Sequence, residues 1–474
     1  MASVVAKLSS DSPLRQSLIK TWLIAQKEII TNIQNYRVYT AFGSLTLLFL
    51  LSTHLLAIDY KQRLENWRAN QAARQEPVVG EVVKYELHNG SFFYSVGAAP
   101  DPPAVRPQPL SALVLGMDRE VDRVVTVTQR IGFGPREDEN AMSALFDAPD
   151  ILFGVKLLVS LLALFFSADA VTREKEAGTL RAIMSNPVRR REFAIGKVAG
   201  AFISLLVPLA AAFFIGVVYL CLAHDLLTGK DELTRVTLVF IVVLLYSLVF
   251  TFLGFFVSTL TARTKTAMIV ALLGWGLLVL VLPNAGVLAA KILSPAPSYN
   301  QLNARLYESE RQIIQAELRA HPEARSIFDV PNPKQALMRI YEIDKQLTDD
   351  YMMRKQGEII QARRLALLSP AGALTFGVSD LTGTGATAYA SYLESLSANR
   401  DILIDALIRR WELPPSSGNK LYAEAVKEVE SRQRQSELLG ASASAAGAAF
   451  VSLTVWALVL GAAFYRRLTN YDVR

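Results

Sequence analysis

The chain has 474 residues, 51% of them apolar, with 49 Lys and Arg against 43 Asp and Glu, a formal charge of +6 and one cysteine. A soluble chain of this length would divide into about three domains, but here the apolar residues are bunched into runs of the roughly 20 residues that a membrane span needs. The single Cys221 excludes an intramolecular disulfide, and no basic-aromatic cluster resembles a nucleic-acid module.

Residues 1–37 come first. In LIKTWLIAQKEIITNI, apolar Leu18, Trp22, Leu23, Ala25, Ile29, Ile30 and Ile33 recur near a helical period, with Lys20, Lys27 and Glu28 between them. The pattern predicts an amphipathic helix lying in the membrane interface; an ordinary solvated helix start is the plainer alternative. Residues 38–58 form the first predicted span. Its apolar stretch is too long for a cleaved signal, so a retained anchor is expected.

Residues 59–150 read as a first extracytoplasmic insertion of mixed α/β character. YKQRLENWRANQAARQ is a charged helical piece, and EVVKYEL-HNG-SFFYSV reads as two strands around an Asn-Gly turn. DPPAVRPQPL is a proline-rich connector, and VDRVVTVTQR reads as a further strand. Asn89-Gly90-Ser91 also fits a glycosylation acceptor, but the turn explains these residues better.

The second span, 151–171, carries Lys156 near one end and Asp169 near the other. A decorated loop, 172–197, follows. The third, fourth and fifth spans are 198–222, 236–258 and 267–290, and the fourth has no charge. Pro208 and Pro283 lie inside spans and can bend them, whether or not those helices move. Residues 291–444 form a second, mainly helical, extracytoplasmic insertion. Apolar residues return every three or four positions in its charged stretches. Its later part, LSPAGALTFGVSDLTGTGATAYASYLESLSANRDILIDALIRRW, mixes a loop with helix, and KLYAEAVKEVESRQRQSELLG leads as a helix to the sixth span, 445–465. Residues 466–474 are a tail. Both insertions are too long for loops and are expected to fold as domains.

Charge orients these spans. Lys7, Arg15, Lys20, Lys27 and Arg37 precede the first. Arg173, Lys175, Arg181, Arg189, Arg190, Arg191 and Lys197 follow the second. Arg263 and Lys265 follow the fourth, and Arg466, Arg467 and Arg474 end the chain. The opposite connector sets Asp225, Asp231 and Glu232 against Lys230 and Arg235. The positive-inside rule then places both termini in the cytoplasm.

Catalytic constellations are not evident. His54, His88, His224 and His321 are isolated in sequence, with no Cys or carboxylate at metal-ligand spacing. There is no GxSxG elbow. REFAIGKV has Arg191 where a phosphate loop needs glycine and Val198 where it needs Ser or Thr, so Lys197 reads as a charge at the mouth of the third span. Gly196 and Gly200 are spaced for close helix approach, although glycine and alanine are common enough here for chance to compete.

The loop carries the strongest signal. A carboxylate near a span end, as at Asp169, is costly unless it meets water or a partner. With Glu174 and Glu176 it forms an acidic face before Gly178-Thr179-Leu180-Arg181. Ser185-Asn186-Pro187 breaks this helix, and Arg189–Arg191 start another, predicting a helical hairpin that a soluble partner could push or pull. For any one of these charges a solvated loop rim explains as much; their order does not yield to that reading.

DAVTREKEAGTLRAIMSNPVRRREFAIGK resembles the signature of ABC-2 type permeases. There an acidic residue closes the second span, Glu-x-Glu-x-Gly-Thr-Leu follows, and Pro-x-x-Arg precedes Gly-Lys. The matching positions are Asp169, Glu174, Glu176, Gly178, Thr179, Leu180, Pro187, Arg190, Gly196 and Lys197. The large insertions, and LSPAGALTFGVSDLTGTGATAYASYL before the last span, are similar to a longer bacterial branch bearing a domain of unknown function, related to the gliding and nitrous-oxide-cluster permeases. The resemblance covers most of the chain, with 59–150 weakly matched.

The expectation is an all-α polytopic membrane protein of six transmembrane helices, with an extracytoplasmic α domain containing some β, built from two insertions. The resemblance implies a permease subunit of an ATP-driven exporter in the bacterial cytoplasmic membrane. Two ATPase subunits, binding ATP and Mg, would dock below it, and a second permease, identical or related, would pair with it. This chain would hold no cofactor or catalytic residue. Residues 172–197, Arg181 among them, would receive the ATPase stroke, with Arg189–Arg191 toward the ATPase or lipid headgroups. The alternative is a subunit that drives an extracytoplasmic partner without passing a substrate. The spans lack an intramembrane charge cluster, which argues against an ion path and suits a lipid-like or peptide cargo.

Overall fold

The computed structural model describes residues 13–75, 106–117, 125–127, 131–133, 150–185, 188–227, 229–327, 329–412 and 440–470, with a few isolated positions between 413 and 439. The Asn-Gly hairpin, Asn186-Pro187 and most of the helix read over 420–440 lie outside them.

Helix α1 (Pro13–Gln34) leads through a turn at Tyr36, whose φ is 58°, into α2 (Arg37–Gln75). Strands β1 (Val125–Val127) and β2 (Ile131–Phe133) pair antiparallel, with Thr126 opposite Gly132. Then come α3 (Ile151–Glu176), α4 (Thr179–Ser185), α5 (Arg190–His224), α6 (Lys230–Leu260) and α7 (Thr264–Leu293). Helices α8 (Tyr299–Ala320), α9 (Pro333–Ala366), α10 (Pro370–Thr382) and α11 (Ala386–Glu412) precede α12 (Gly440–Thr469). Among the described residues six helices are long and apolar enough to cross a membrane: α2, α3, α5, α6, α7 and α12. Each matches a predicted apolar run and extends beyond it. The 35 residues of α5 make a rod of about 52 Å, well beyond the roughly 30 Å hydrocarbon layer.

The main core lies where these spans meet, around Phe49, Phe166, Phe213, Tyr246 and Phe250. Two spans contain a π turn, at Val155–Val159 in α3 and Leu277–Val281 in α7. Such turns free carbonyls, which in hydrocarbon must find donors. Here Lys156 O accepts from the Ser160 and Tyr246 hydroxyls, and Leu278 O accepts from Ser369.

The insertion after α7 divides into two parts. Helices α8, α9 and α11 share a small core of Leu302, Leu306, Tyr351, Met352, Leu393 and Leu396. Helix α9 then runs beside α7, and the chain reverses at 367–369, level with α7's π turn. Helix α10 returns packed between α6 and α12. Trp456 of α12 donates to Leu368 O at that reversal. LSPAGALTFGVSD, part of the outer insertion by sequence, is therefore seated among the spans. Its small, uncharged first turns permit this, and its first charge, Asp380, meets Arg363 at 2.7 Å.

The spans share two ends. At one, Arg63 donates to Ser111, Met117 N to Thr384 O, and Arg235 to Leu381 O. At the other, the four basic regions of the sequence converge.

Candidate functional site

Helix α3 does not end cleanly. After Ser167 the backbone makes a turn and resumes as a short helix, Thr172–Glu176. Gly178, at φ 69°, then lets the chain reverse into α4. An L side chain rarely adopts that conformation. The helix expected to run on to Ser185 therefore breaks first at Gly178, because the glycine sits where the left-handed residue is required.

The acidic face expected from Asp169, Glu174 and Glu176 is instead three separate attachments. Asp169 is gripped by both guanidinium nitrogens of Arg37, at 3.0 and 2.6 Å. Arg37 also donates to Phe165 O and stacks over the Phe165 ring, so the start of α2 is fastened to the end of α3. Such a two-pronged pair removes the cost of a carboxylate at a span end.

Glu174 meets Lys197 at 2.8 Å. Lys197 also donates to Glu28 at 2.6 Å and to Ala170 O at 3.2 Å. Its ammonium thus has two hydrogen-bond acceptors and a second carboxylate as ion-pair partner, and its side chain is 4% exposed. Arg173 adds a bridge to Glu28 at 3.4 Å, and Lys27 one to Glu174 at 3.7 Å. Lys197 is therefore not a charge at a span mouth but a buried hub between α1, α3 and α5. Lone buried ions are costly; here each carboxylate faces two cations.

Glu176 points outward and accepts from Thr264 N at 3.0 Å and Thr264 Oγ at 2.6 Å, capping α7. Neighbouring Lys175 donates to the carbonyls of Ser258, Thr259 and Thr261, closing the C-terminus of α6. Ser258 Oγ returns two bonds, from the N–H groups of Val171 and Thr172. On the other side of α4, Glu192 accepts from Arg189 N and caps α5, while Arg190 donates to Thr469 O of α12. One segment thus holds an end of every span.

The remaining residues sort by burial. Leu180 is buried with Val171, Phe193 and Phe464. Gly178, Thr179, Arg181, Arg189 and Arg191 are exposed. Pro187 lies outside the described residues. Gly196 and Gly200 are both required by α1. A Cβ on Gly196 would stand 2.7 Å from Thr21 O, and one on Gly200 would stand 2.7 Å from Ala25 O.

Sequence reasoning missed Glu28, Arg37, Ser258 and Thr264. A signal existed for Glu28. Thr21, Ala25, Glu28 and Asn32 form a stripe of small and polar residues at helical spacing. That stripe, not the apolar one, faces α5: Ala25, Glu28 and Asn32 are buried, while Leu18, Trp22, Ile30 and Ile33 are exposed. The apolar face left outward is the one expected to meet lipid.

The histidines are less isolated than their spacing implies. His54 Nδ1 lies 2.7 Å from Tyr219 Oη, and His224 Nε2 lies 3.4 Å from the same hydroxyl. Helix packing brings α2 and α5 together there; among the described residues no third metal-ligating side chain joins them.

The family model described as ABC-2 family transporter protein matches residues 22–473, nearly the whole chain and all of this site. The chain belongs to the ABC-2 transporter family. Comparison with curated proteins finds no match. ABC-2 proteins are membrane components of ABC transporters, typically non-catalytic, and the family implies an ABC ATPase as partner. This ABC-2 chain is accordingly a multi-pass membrane permease.

Proposed function

We propose that this permease is the conduit subunit of an exporter, driven by two ATPase subunits that bind ATP and Mg and dock at 176–185. A second permease chain, identical or related, completes the pathway. The chain lies in a bacterial cytoplasmic membrane with both termini inside. In this reading the signature divides its work. Gly178, Thr179, Arg181 and Arg189 present the exposed surface that the ATPase meets. Asp169, Glu174, Leu180, Gly196 and Lys197 carry its movement inward. The observation that supports this most is the junction at Lys197, because a displacement of α4 strains α3, α5 and α1 together. Co-purification tests the reading. An ATP-binding subunit should remain with the full chain in mild detergent and hydrolyse ATP; a chain that never retains one contradicts it.

A second reading, force transmission to an extracytoplasmic partner, is supported by the continuity of α9 with α10. The helix that builds the outer core with α8 and α11 leads directly into one seated among the spans. Vesicles reconstituted with the ATPase separate the two. Substrate movement without any outer protein favours export; ATP hydrolysis that responds only to an outer protein favours transmission.

A further inference from the structure

Helices α5, α6 and α12 enclose an open groove of ≈ 670 Å³ lined by Ala199, Phe202, Leu248, Phe252, Leu458 and Ala462, among others. That volume falls in the range of roughly 300–1,000 Å³ typical of small-molecule sites. Its lining is almost wholly apolar, with the hydroxyls of Thr454 and Tyr465 at its edges. All three walls are helices long and apolar enough to cross a membrane, and a groove between such helices suits acyl chains better than water.

The mouth of the groove is cationic. Arg191 stands one turn before Ile195 on the stripe Ile195–Val198–Phe202 that forms the α5 wall. Arg466 stands one turn beyond Ala462 on the α12 wall. Both are exposed, as are Arg189 and Arg467 beside them. The Arg190 hydrogen bond to Thr469 O holds the end of α12 against the start of α5, so the two walls meet at this mouth. Glu192, the nearest carboxylate in sequence, is turned inward as the α5 cap.

We propose that this groove is a binding site for an anionic phospholipid, one acyl chain lying along Ala199, Phe202 and Leu458 and the phosphate held between Arg191 and Arg466. Apolar length and cationic mouth together match that chemistry. A transmembrane helix of a partner would fill the apolar part but would leave the guanidinium pair facing hydrocarbon-bordering solvent without a counter-ion. A free phosphate would satisfy the arginines and leave the groove unfilled. The guanidinium fork suits phosphate oxygens, and cations beside an anionic leaflet bind additively. The site depends only on the spans and not on the exporter reading.

Native mass spectrometry of the detergent-solubilised full chain, titrated with phosphatidylglycerol or phosphatidylcholine, tests this. Phosphatidylglycerol should be retained preferentially. Arg191→Gln with Arg466→Gln should weaken its retention by about tenfold or more. Ala462→Phe, which adds bulk at an exposed lining position and leaves both arginines in place, should weaken it as well. The pair Arg305→Gln and Arg319→Gln on α8 should have no effect, and unchanged thermal unfolding should show that the variants fold. Equal retention of the two lipids, or retention that survives loss of both arginines, overturns the proposal in favour of non-specific lipid contact. Loss with the arginine pair, but not with Ala462→Phe, and competition by glycerol phosphate would reduce it to a phosphate site and overturn the acyl-chain assignment.

Discussion

The Lys197 ammonium lies 2.8 Å from the Glu174 carboxylate and 2.6 Å from that of Glu28, with all three side chains buried. Removing the shared cation would leave two buried carboxylates close together, each with only a longer contact, from Arg173 at 3.4 Å and Lys27 at 3.7 Å. Lys197→Met is therefore expected to destabilise the purified chain by about 3–5 kcal/mol, read by thermal unfolding. The triple change Glu28→Gln, Glu174→Gln, Lys197→Met should recover most of that loss. Equal destabilisation by both variants would show that packing, not charge, is what Lys197 supplies.

The docking of α1 depends on bare backbone in α5. Gly200→Ala places a methyl 2.6 Å from the Glu28 Cβ and 2.7 Å from Ala25 O, so α1 must shift. A cost of about 1–3 kcal/mol is expected for such overpacking, with faster amide exchange over 13–34. Gly276→Ala, whose Cβ would meet nothing within 4 Å, is the matched control and should be silent.

These two cases mark how far the sequence could be read. Six spans were legible because hydropathy is a local property of about 20 residues. The four basic regions could be assigned to one side, and the structure gathers them at one end. Partners are not local. Arg37 was legible as a charge that orients the chain, yet its guanidinium is committed to Asp169, 132 residues away. Lys197 looked like a span-mouth charge because nothing near it in sequence announces Glu28. By sequence, α10 falls within the insertion because it is too short to register as a span, although its small residues suit burial among the spans. For Gly196 and Gly200 the spacing was visible, but only the approach of α1 distinguishes it from chance.

Glu176 links the loop to α7 through the N–H and hydroxyl of Thr264. Glu176→Ala should quicken amide exchange in the first turn of α7, with global unfolding unchanged because the cap is exposed. Thr264→Val should reproduce part of the effect by removing the hydroxyl alone. A shift in global unfolding with no local change would contradict a capping role.

Helices α9 and α11 carry a pH-sensitive joint. Burial alone would push the Asp401 carboxyl up. The hydrogen bond from Lys345 and the charge and hydrogen bond of Arg400 outweigh it, holding Asp401 below its ordinary value of 3.8. Its hydrogen bond to Asp401 holds Lys345 above 10.5. The contribution of Asp401 is present above 3.8 and fades as pH falls through its lowered folded value. That of Lys345 is complete below 10.5 and fades as pH rises through its raised folded value. Protection of α9 and α11, corrected for intrinsic exchange, should thus hold through neutral pH and decline toward pH 3. Asp401→Asn should lower protection at pH 6 and flatten the acid-side decline; an unchanged decline would assign it to other carboxylates.

The most direct measurement is site-specific crosslinking of the membrane-embedded chain to its ATPase in a Cys221→Ser background, with one new cysteine at a time. Arg181→Cys, on exposed α4, should crosslink to the ATPase subunit and change in yield when ATP is hydrolysed. Arg305→Cys, exposed on α8 in the insertion after α7, should not. An ATPase that stays bound yet never crosslinks at 181, or crosslinks equally at 305, would contradict coupling through 169–197.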